Sequence, residues 1–294
     1  SISIVIPCYN EELFLSDCLE SLRHQDFQGG FEIIVVDNNS TDGTAALARK
    51  FGAVVIFESK RGTCSARQAG TKAARGSIII STDADTMFAS DWLSRVWKSM
   101  SVDEGIAAVT GPCQYIEAPW WGSFYAKALF SSVNILSRLT GSVWYASACN
   151  LAFRKSAWTG YNTKLTQGGD EFDILSKLKK QGKVQYLPDN PVFTSSRRMD
   201  KGLIYNVVVT IFWLYLVNYA VSAIVGRSVL GSYPAIRIKT IHIRPRWAVF
   251  GSVLAVIAIV SVFLSIAQPT FADSIVHRLG QHISSISHAV VWRR

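Results

Sequence analysis

The chain has 294 residues, 49% of them hydrophobic, with 30 lysines and arginines against 21 acids and a formal charge of +9. That much apolar sequence can bury a full core, which excludes a disordered chain and points to one large domain with an appendage. Cys8, Cys18, Cys64, Cys113 and Cys149 are odd in number and lack CxxC or Cys/His spacing. Free thiols in a reducing compartment are therefore favoured over a disulfide framework or zinc.

In chain order, residues 2–6 read as a buried strand, with no secretory signal ahead of it. Residues 11–24 read as a helix with Leu13, Leu15, Leu19 and Leu22 on one side. Residues 31–36 form a second strand, closed by the turn-rich DNNSTDG at 37–43, where Thr41 or Asp42 can cap a helix running to Phe51. A third strand spans 53–57. A loop at 59–63 then leads to a helix reaching Arg75 and a strand opening at Ile78. This alternation predicts a mostly parallel, Rossmann-like α/β sheet with helices on both faces.

From residue 107 the rhythm loosens. Residues 120–139 carry large apolar side chains at helical spacing (121, 124, 125, 128, 129, 135, 136 and 139), and this side is expected to face the core, with a membrane surface as the alternative. Residues 145–153 read as extended, 171–181 as a helix stopped by Gly182, and 184–187 as a short strand.

Two long uncharged runs follow. Residues 203–226 would make a helix of about 36 Å and residues 247–267 one of about 32 Å, against a hydrocarbon thickness of ~30 Å. The second, flanked by Arg244, Arg246 and Trp247 on one side and Pro269 on the other, reads as a transmembrane helix. The first carries Asn206, Thr210, Asn218 and Ser222 with several tyrosines and Trp213, as an interfacial or re-entrant helix would. Eight of the basic residues lie between 197 and 246 against one acid, Asp200. Interleaved with uncharged runs, they point to an anionic membrane face rather than nucleic acid. The expected layout is a catalytic domain at 1–200, an interfacial or re-entrant helix and basic cytoplasmic loop at 201–246, a span at 247–268 and a tail at 269–294. It places the catalytic domain on the cytoplasmic face of the cell membrane.

The chemistry-bearing residues stand at the predicted carboxyl ends of strands, where open α/β sheets bind ligands. At 78–85 an apolar run ends in Asp83-Ala84-Asp85. If the segment stays extended, the two carboxylates share a side and converge, and a divalent cation that also takes phosphate oxygens would relieve their repulsion. Pro7, Tyr9 and Glu11 follow the first strand, with the tyrosine offering a flat face for a nucleobase. Asp37 ends the second strand and can accept from a base or ribose, though an Asx turn would use it equally. Lys60, Arg61 and Arg67 bracket the third loop and can donate to a diphosphate. Singly each is a common surface feature; jointly they match a nucleoside diphosphate. Neither GxGxxG nor GxxxxGK[ST] occurs, which disfavours a dinucleotide oxidoreductase and a P-loop NTPase.

The ordered motifs IPCYNEE (6–12), VVDNNSTDGT (35–44), RGTCSARQAG (61–70), DAD (83–85), ACNLAFRKSAW (148–158) and GGDEFDILSKLKKQGKV (168–184) resemble the inverting family 2 glycosyltransferases of A-type fold. The resemblance covers about residues 2–198. It implies that Pro7, Tyr9, Glu11 and Asp37 hold base and ribose, that Arg67 and Lys60 face the diphosphate, that Asp83 contacts the nucleotide sugar, and that Asp85 is the principal ligand of Mg2+ or Mn2+. Asn150 and Arg154 would border the acceptor, and Asp170 or Glu171 would serve as general base, with Glu171 favoured. Two departures stand out. The family's Glu-Asp order is reversed at 170–171, and the histidine many relatives place after the last core strand is missing near 192–196, where Arg197 or Arg198 would compensate charge. The TSSRR run at 194–198, followed by an aromatic-rich helix, resembles the membrane-attached branch.

The expected function is metal-dependent, inverting transfer of a single sugar from a nucleotide diphosphate sugar to a lipid-linked acceptor, with C-terminal membrane helices contacting membrane lipids. The alternative is a catalytically silent, membrane-tethered nucleotide-sugar binding or scaffold protein. A nucleotidyltransferase is disfavoured by the missing Gly-rich phosphate loop.

Overall fold

The computed structural model describes residues 1–165 and 170–206. The rest of the 203–226 run, the basic loop, the 247–268 segment and the tail lie outside the described residues, and so do Gly168 and Gly169. No helix among the described residues is long and apolar enough to cross a membrane.

The strands are β1 (Ile2–Cys8), β2 (Phe31–Asp37), β3 (Val54–Phe57), β4 (Ile78–Ser81), β5 (Thr86–Phe88), β6 (Ile106–Thr110), β7 (Cys113–Ile116), β8 (Leu151–Arg154), β9 (Lys183–Tyr186) and β10 (Val192–Ser195). The helices are α1 (Glu12–Arg23), α2 (Thr44–Lys50), α3 (Thr63–Ala73), α4 (Trp92–Val102), α5 (Trp120–Thr140) and α6 (Asp170–Lys179), followed by a 3-10 turn at Arg197–Lys201. Seven strands form the main sheet in the order β3-β2-β1-β4-β8-β6-β9. Only β8 runs against its neighbours, so the sheet is mostly parallel as expected. A second sheet, β5-β10-β7, has three short strands.

The chain runs outward from β1 through β2 to β3, then returns to lay β4 on the other side of β1. That reversal opens a crevice at the carboxyl ends of β1 and β4, the place where such sheets take ligands. Register sets its walls. Cys8 is level with Asp37, and Val5 with Ser81, so the segments after Cys8, Asp37 and Ser81 emerge at one edge. Pro7 lies inside β1 rather than ending it. Pairing with β4 reaches only to Val5, so a residue without an N–H is tolerated there.

β1 and β4 are almost wholly apolar and buried because helices cover both faces. On one face α3 lies close to the sheet at Gly70, where a Cβ would sit 2.4 Å from Val5 Cγ1 and 2.8 Å from Val36 Cγ2. All five cysteines are free and buried.

Helix α5 departs from expectation. Its buried residues are Gly122, Ala126, Phe130 and Val133, whereas Trp120, Phe124, Ile135 and Leu139 are exposed. The close contact uses small residues: a Cβ on Gly122 would meet the Met199 sulfur. Of the predicted stripe, Phe124, Ala128, Ile135 and Leu139 are turned outward, while Trp121, Tyr125, Leu129 and Leu136 are half-buried, with Leu129 packed on the core. Strands β5, β7 and β10 and helix α4 had no clear signal; the strands are three or four residues long and pair over long range.

Gly70→Ala should lower stability by about 1–3 kcal/mol through overpacking, outweighing a helix-propensity gain of at most ~1 kcal/mol. Urea unfolding measures it, and an unchanged midpoint would contradict the close approach of α3.

Candidate active site

The site is built around two arginines withdrawn from solvent, each holding more than one acid. Arg67, 4% exposed, donates from Nη2 to Asp83 Oδ1 at 2.7 Å and from Nη1 to Asp170 Oδ2 at 3.0 Å. One guanidinium from α3 thus ties the turn after β4 to the first residue of α6. Arg197 donates to both Glu11 oxygens, at 2.8 and 3.1 Å, and forms an ion pair with Asp85 Oδ2 at 2.9 Å. It stacks on Phe14, with its guanidinium carbon 4.7 Å from the ring centre.

Asp83 and Asp85 do not lie on an extended strand. β4 ends at Ser81, and 82–85 forms a turn in which Thr86 N–H reaches back to Asp83 O. Thr82 anchors it, its N–H to Val5 O and its hydroxyl to Cys149 O. The two carboxylates are consequently held by different arginines. Asp85 is further gripped by β10, through Ser195 N–H to its carbonyl and a long 3.4 Å contact from Thr194 Oγ1 to Oδ1. Burial, with Asp83 and Glu11 nearby, outweighs Arg197 and pushes the Asp85 carboxyl up to about 6.

The nucleoside-side residues emerge from β1, β2 and the loop after β3. Arg61 lies over the Tyr9 ring at 5.3 Å. Asp37 accepts from Ser40 N–H at 2.9 Å, so the Asx turn is present and uses one of its oxygens. Asn38 staples the neighbouring loop, donating to Glu58 O and Lys60 O and accepting from Gly62 N–H. Asn10, with a left-handed backbone (φ 54°), accepts from Thr41 N–H and joins the first and second strand-end loops. Exposed Lys60 donates to Thr163 Oγ1 at 3.1 Å.

On the other side, Glu171 stands beside Asp170, and its Oε2 is buried without a hydrogen-bond partner. Burial first, then the Asp170 charge, raise its carboxyl to about 8. Burial raises Asp170 too, with Arg67 working against it. The charge of exposed Arg198 reaches both Asp85 and Glu171.

Several sequence assignments change. Glu11 gives both oxygens to Arg197 rather than leaving them for base or ribose. Arg67 pairs through its two Nη atoms with Asp83 and Asp170, while its Nε is buried without a partner. Asn150 is buried, donating to Pro112 O and Asn190 O and accepting from Trp92 Nε1, so its amide is a structural knot. Arg154 is level with Ile78, at the opposite end of the sheet, where it donates to Ile106 O, Met100 O and Asp103 O and closes the end of α4. Asn38 and Asn10 also join the strand-end loops; the Asx-rich run at 37–43 carries the sequence trace of the first and the IPCYNEE motif at 6–12 that of the second.

Among the described residues no three His, Cys, Asp or Glu side chains gather as a self-sufficient metal site. The donor set fits a hard divalent cation that arrives with a diphosphate. Asp85 keeps Oδ1 with only a long hydroxyl contact, and phosphate oxygens and water would complete the shell.

This crevice on this sheet defines an α/β protein of the A-type glycosyltransferase fold. The mannosyltransferase PcManGT of Pyrobaculum calidifontis, solved with GDP-Man and Mn2+, superposes with a TM-score of 0.60 over 96% of this chain and 75% of that one, at 20% identity. S. aureus TarS 1-349, in complex with UDP-GlcNAc, gives 0.55 over 67% and 58%, at 19% identity. Residues 3–159 match Glycosyl transferase family 2, and the chain belongs to that family. It is 38% identical over 124 residues to an uncharacterized glycosyltransferase of Mycobacterium tuberculosis, covering 41% of this chain and 53% of that protein. The chain therefore spans about half the length of that curated relative.

Arg67→Met should cost roughly 3–5 kcal/mol at neutral pH, because it strands the buried Asp170 carboxylate without its counter-charge, while Asp83 can turn to water. The loss should shrink as pH falls and buried Asp170 takes up a proton. Urea midpoints at pH 5 and pH 8 test this; a pH-independent difference would contradict the double pairing.

Proposed function

We propose that the chain is an inverting, metal-dependent glycosyltransferase that moves a single sugar from a nucleoside diphosphate sugar to a lipid-linked acceptor at a membrane. The observation that carries this reading is the Arg67 bridge, which brings the Asp83–Asp85 turn and the Asp170-Glu171 pair to one crevice. Family membership and the nucleotide sugars named for the two solved neighbours support a nucleoside diphosphate sugar as donor.

Each side of the crevice then has a task. Tyr9, backed by Arg61, offers the nucleobase a flat face, and the Asp37 oxygen not engaged by Ser40 can accept from the ribose. Asp85, with Asp83 beside it, would hold Mg2+ or Mn2+, which when bound supplies charge stabilisation to the departing diphosphate. Arg198 adds positive charge at the same place. Glu171, unpartnered at Oε2, takes the proton of an acceptor hydroxyl approaching the anomeric carbon from the face opposite the leaving group. A single displacement of this kind inverts configuration. With a phosphate acceptor no strong base is required, and Asp170 and Glu171 would position groups instead.

The membrane assignment is supported by the uncharged runs at 203–226 and 247–267 with the basic loop between them. In this layout residues 1–200 catalyse on the cytoplasmic face, 201–246 lie at the interface and 247–268 span.

Purified chain given Mn2+, a panel of UDP-, GDP- and dTDP-sugars and lipid extract should transfer sugar. Asp85→Ala and Glu171→Gln should each lower turnover by at least ~10²-fold. For a hydroxyl acceptor, kcat/KM should rise with pH to a plateau above about 8, as Glu171 loses its proton. The sign for stability is opposite. A carboxyl raised in the folded state weakens the fold as pH climbs from its unfolded value toward about 8, by ~1.4 kcal/mol for each tenfold gain in proton affinity. Glu171→Gln should therefore melt higher than wild type at pH 9 and lose that advantage near pH 4. Donor binding without turnover across the panel would favour the scaffold alternative. Transfer to soluble sugars alone would overturn the lipid acceptor.

A further inference from the structure

Helix α5 is the largest feature the catalytic account leaves unused. Trp120, Phe124, Ile135 and Leu139 are 50–58% exposed. At 100° per residue they fall within about a third of the helical wheel, and they run about 28 Å along the helix axis. They form two apolar pairs, Trp120 with Phe124 and Ile135 with Leu139, on one helix face with exposed Ala128 and Ser131 between them, which is more than the single scattered apolar residues normal for a soluble surface.

We propose that the outer face of α5 docks on the bilayer itself, its bulky stripe entering the interfacial zone of an anionic leaflet while Lys127 and Arg138 meet the headgroups. The proposal deepens the membrane reading above, and rests on it only for where the acceptor comes from.

Charge favours lipid as the occupant. Lys127 and Arg138 are the charged side chains of α5, both exposed, and the helix contains no acid. They project along the Trp120 edge of the stripe, so one rim is basic, as on helices that lie in an anionic interface. An uncharged protein segment laid over the stripe would make no use of that rim. The arrangement of side chains agrees, with Trp120, half-buried Trp121 and Phe124 at one end and aliphatic Ile135 and Leu139 at the other.

Chain direction agrees too. Met199 is seated on Gly122, near the start of α5, and the described chain ends seven residues later, inside the uncharged 203–226 run. The apolar sequence expected to meet the membrane thus departs from beside the same helix.

The inner face of α5 explains what docking would achieve. Phe130 packs on Tyr145 (ring centres 6.2 Å apart), and Tyr145 on Phe172, the residue after Glu171 (5.9 Å). The Glu171 charge is felt at Tyr125 on α5. One helix therefore stands between the leaflet and the general base, which would bring a lipid-borne hydroxyl to the protein on the side where Glu171 waits.

The test uses the 294-residue chain in vesicles of phosphatidylcholine and phosphatidylglycerol. A cysteine is introduced at Phe124→Cys or Leu139→Cys, with Val102→Cys as a control on exposed α4 at the far end of the sheet. Each is labelled with an environment-sensitive nitrobenzoxadiazole dye; the five native cysteines are buried. Labels at 124 and 139 should emit at shorter wavelength and be quenched by doxyl-labelled phospholipid, with neither effect at 102. A blue shift without lipid quenching would mean that protein covers the stripe, either the 207–226 segment or a second copy, and would overturn the proposal. Water-like emission at both sites would overturn it as well. Quenching that persists while the same vesicles show no transfer to lipid would remove the proposed acceptor and leave the docking surface standing.

Discussion

The architecture depends on one buried cation and the two acids that neutralise it. A guanidinium removed from water is tolerated only with well-placed counter-charges, and Arg67 has two, one on the turn after β4 and one at the start of α6. Neither acid can move without leaving the arginine unbalanced. The close packing of α3 at Gly70 fixes where the guanidinium stands, so sheet packing is converted into the position of α6.

The same bridge divides labour between neighbouring acids. Asp170 has the arginine and serves as an anchor. Glu171 shares the burial but lacks the partner, and its carboxyl lies near 8, where a general base for neutral chemistry is effective. Within the pair the anchor comes first, and the longer side chain carries the unpartnered oxygen. Arg197 does for Glu11 and Asp85 what Arg67 does for the other pair, and it belongs to the last described segment before the apolar runs. The strand that positions Asp85 therefore leads directly into the part of the chain proposed to meet the membrane.

The crevice was legible in the sequence because it depends on local signals: apolar runs of strand length, each ending in a polar cluster. The side chains that tie those clusters together were not, since their partners are distant. Arg67 finds its acids 16 and 103 residues away, and Arg197 reaches Glu11 across 186. Motif position also says nothing of whether a polar group is already spent. Asn150 and Arg154 sit in a family motif, yet internal carbonyls take their donors. Alternation misjudged Asp83 and Asp85 because β4 stops at Ser81 and a turn follows. Counting bulky residues on α5 placed the inner face too far round the helix: Tyr125 and Leu129 are half-buried, but the deepest contact is made where Gly122 and Ala126 allow the closer approach.

The central claim is that Asp85 becomes a cation site only together with a nucleoside diphosphate. Mn2+ electron paramagnetic resonance tests it most directly. The account predicts weak binding by the chain alone, a loss of free-ion signal on adding UDP or GDP that exceeds the loss these nucleotides cause without protein, and disappearance of that excess in Asp85→Asn. Nucleotide-independent binding, or nucleotide-dependent binding that survives Asp85→Asn, would contradict it.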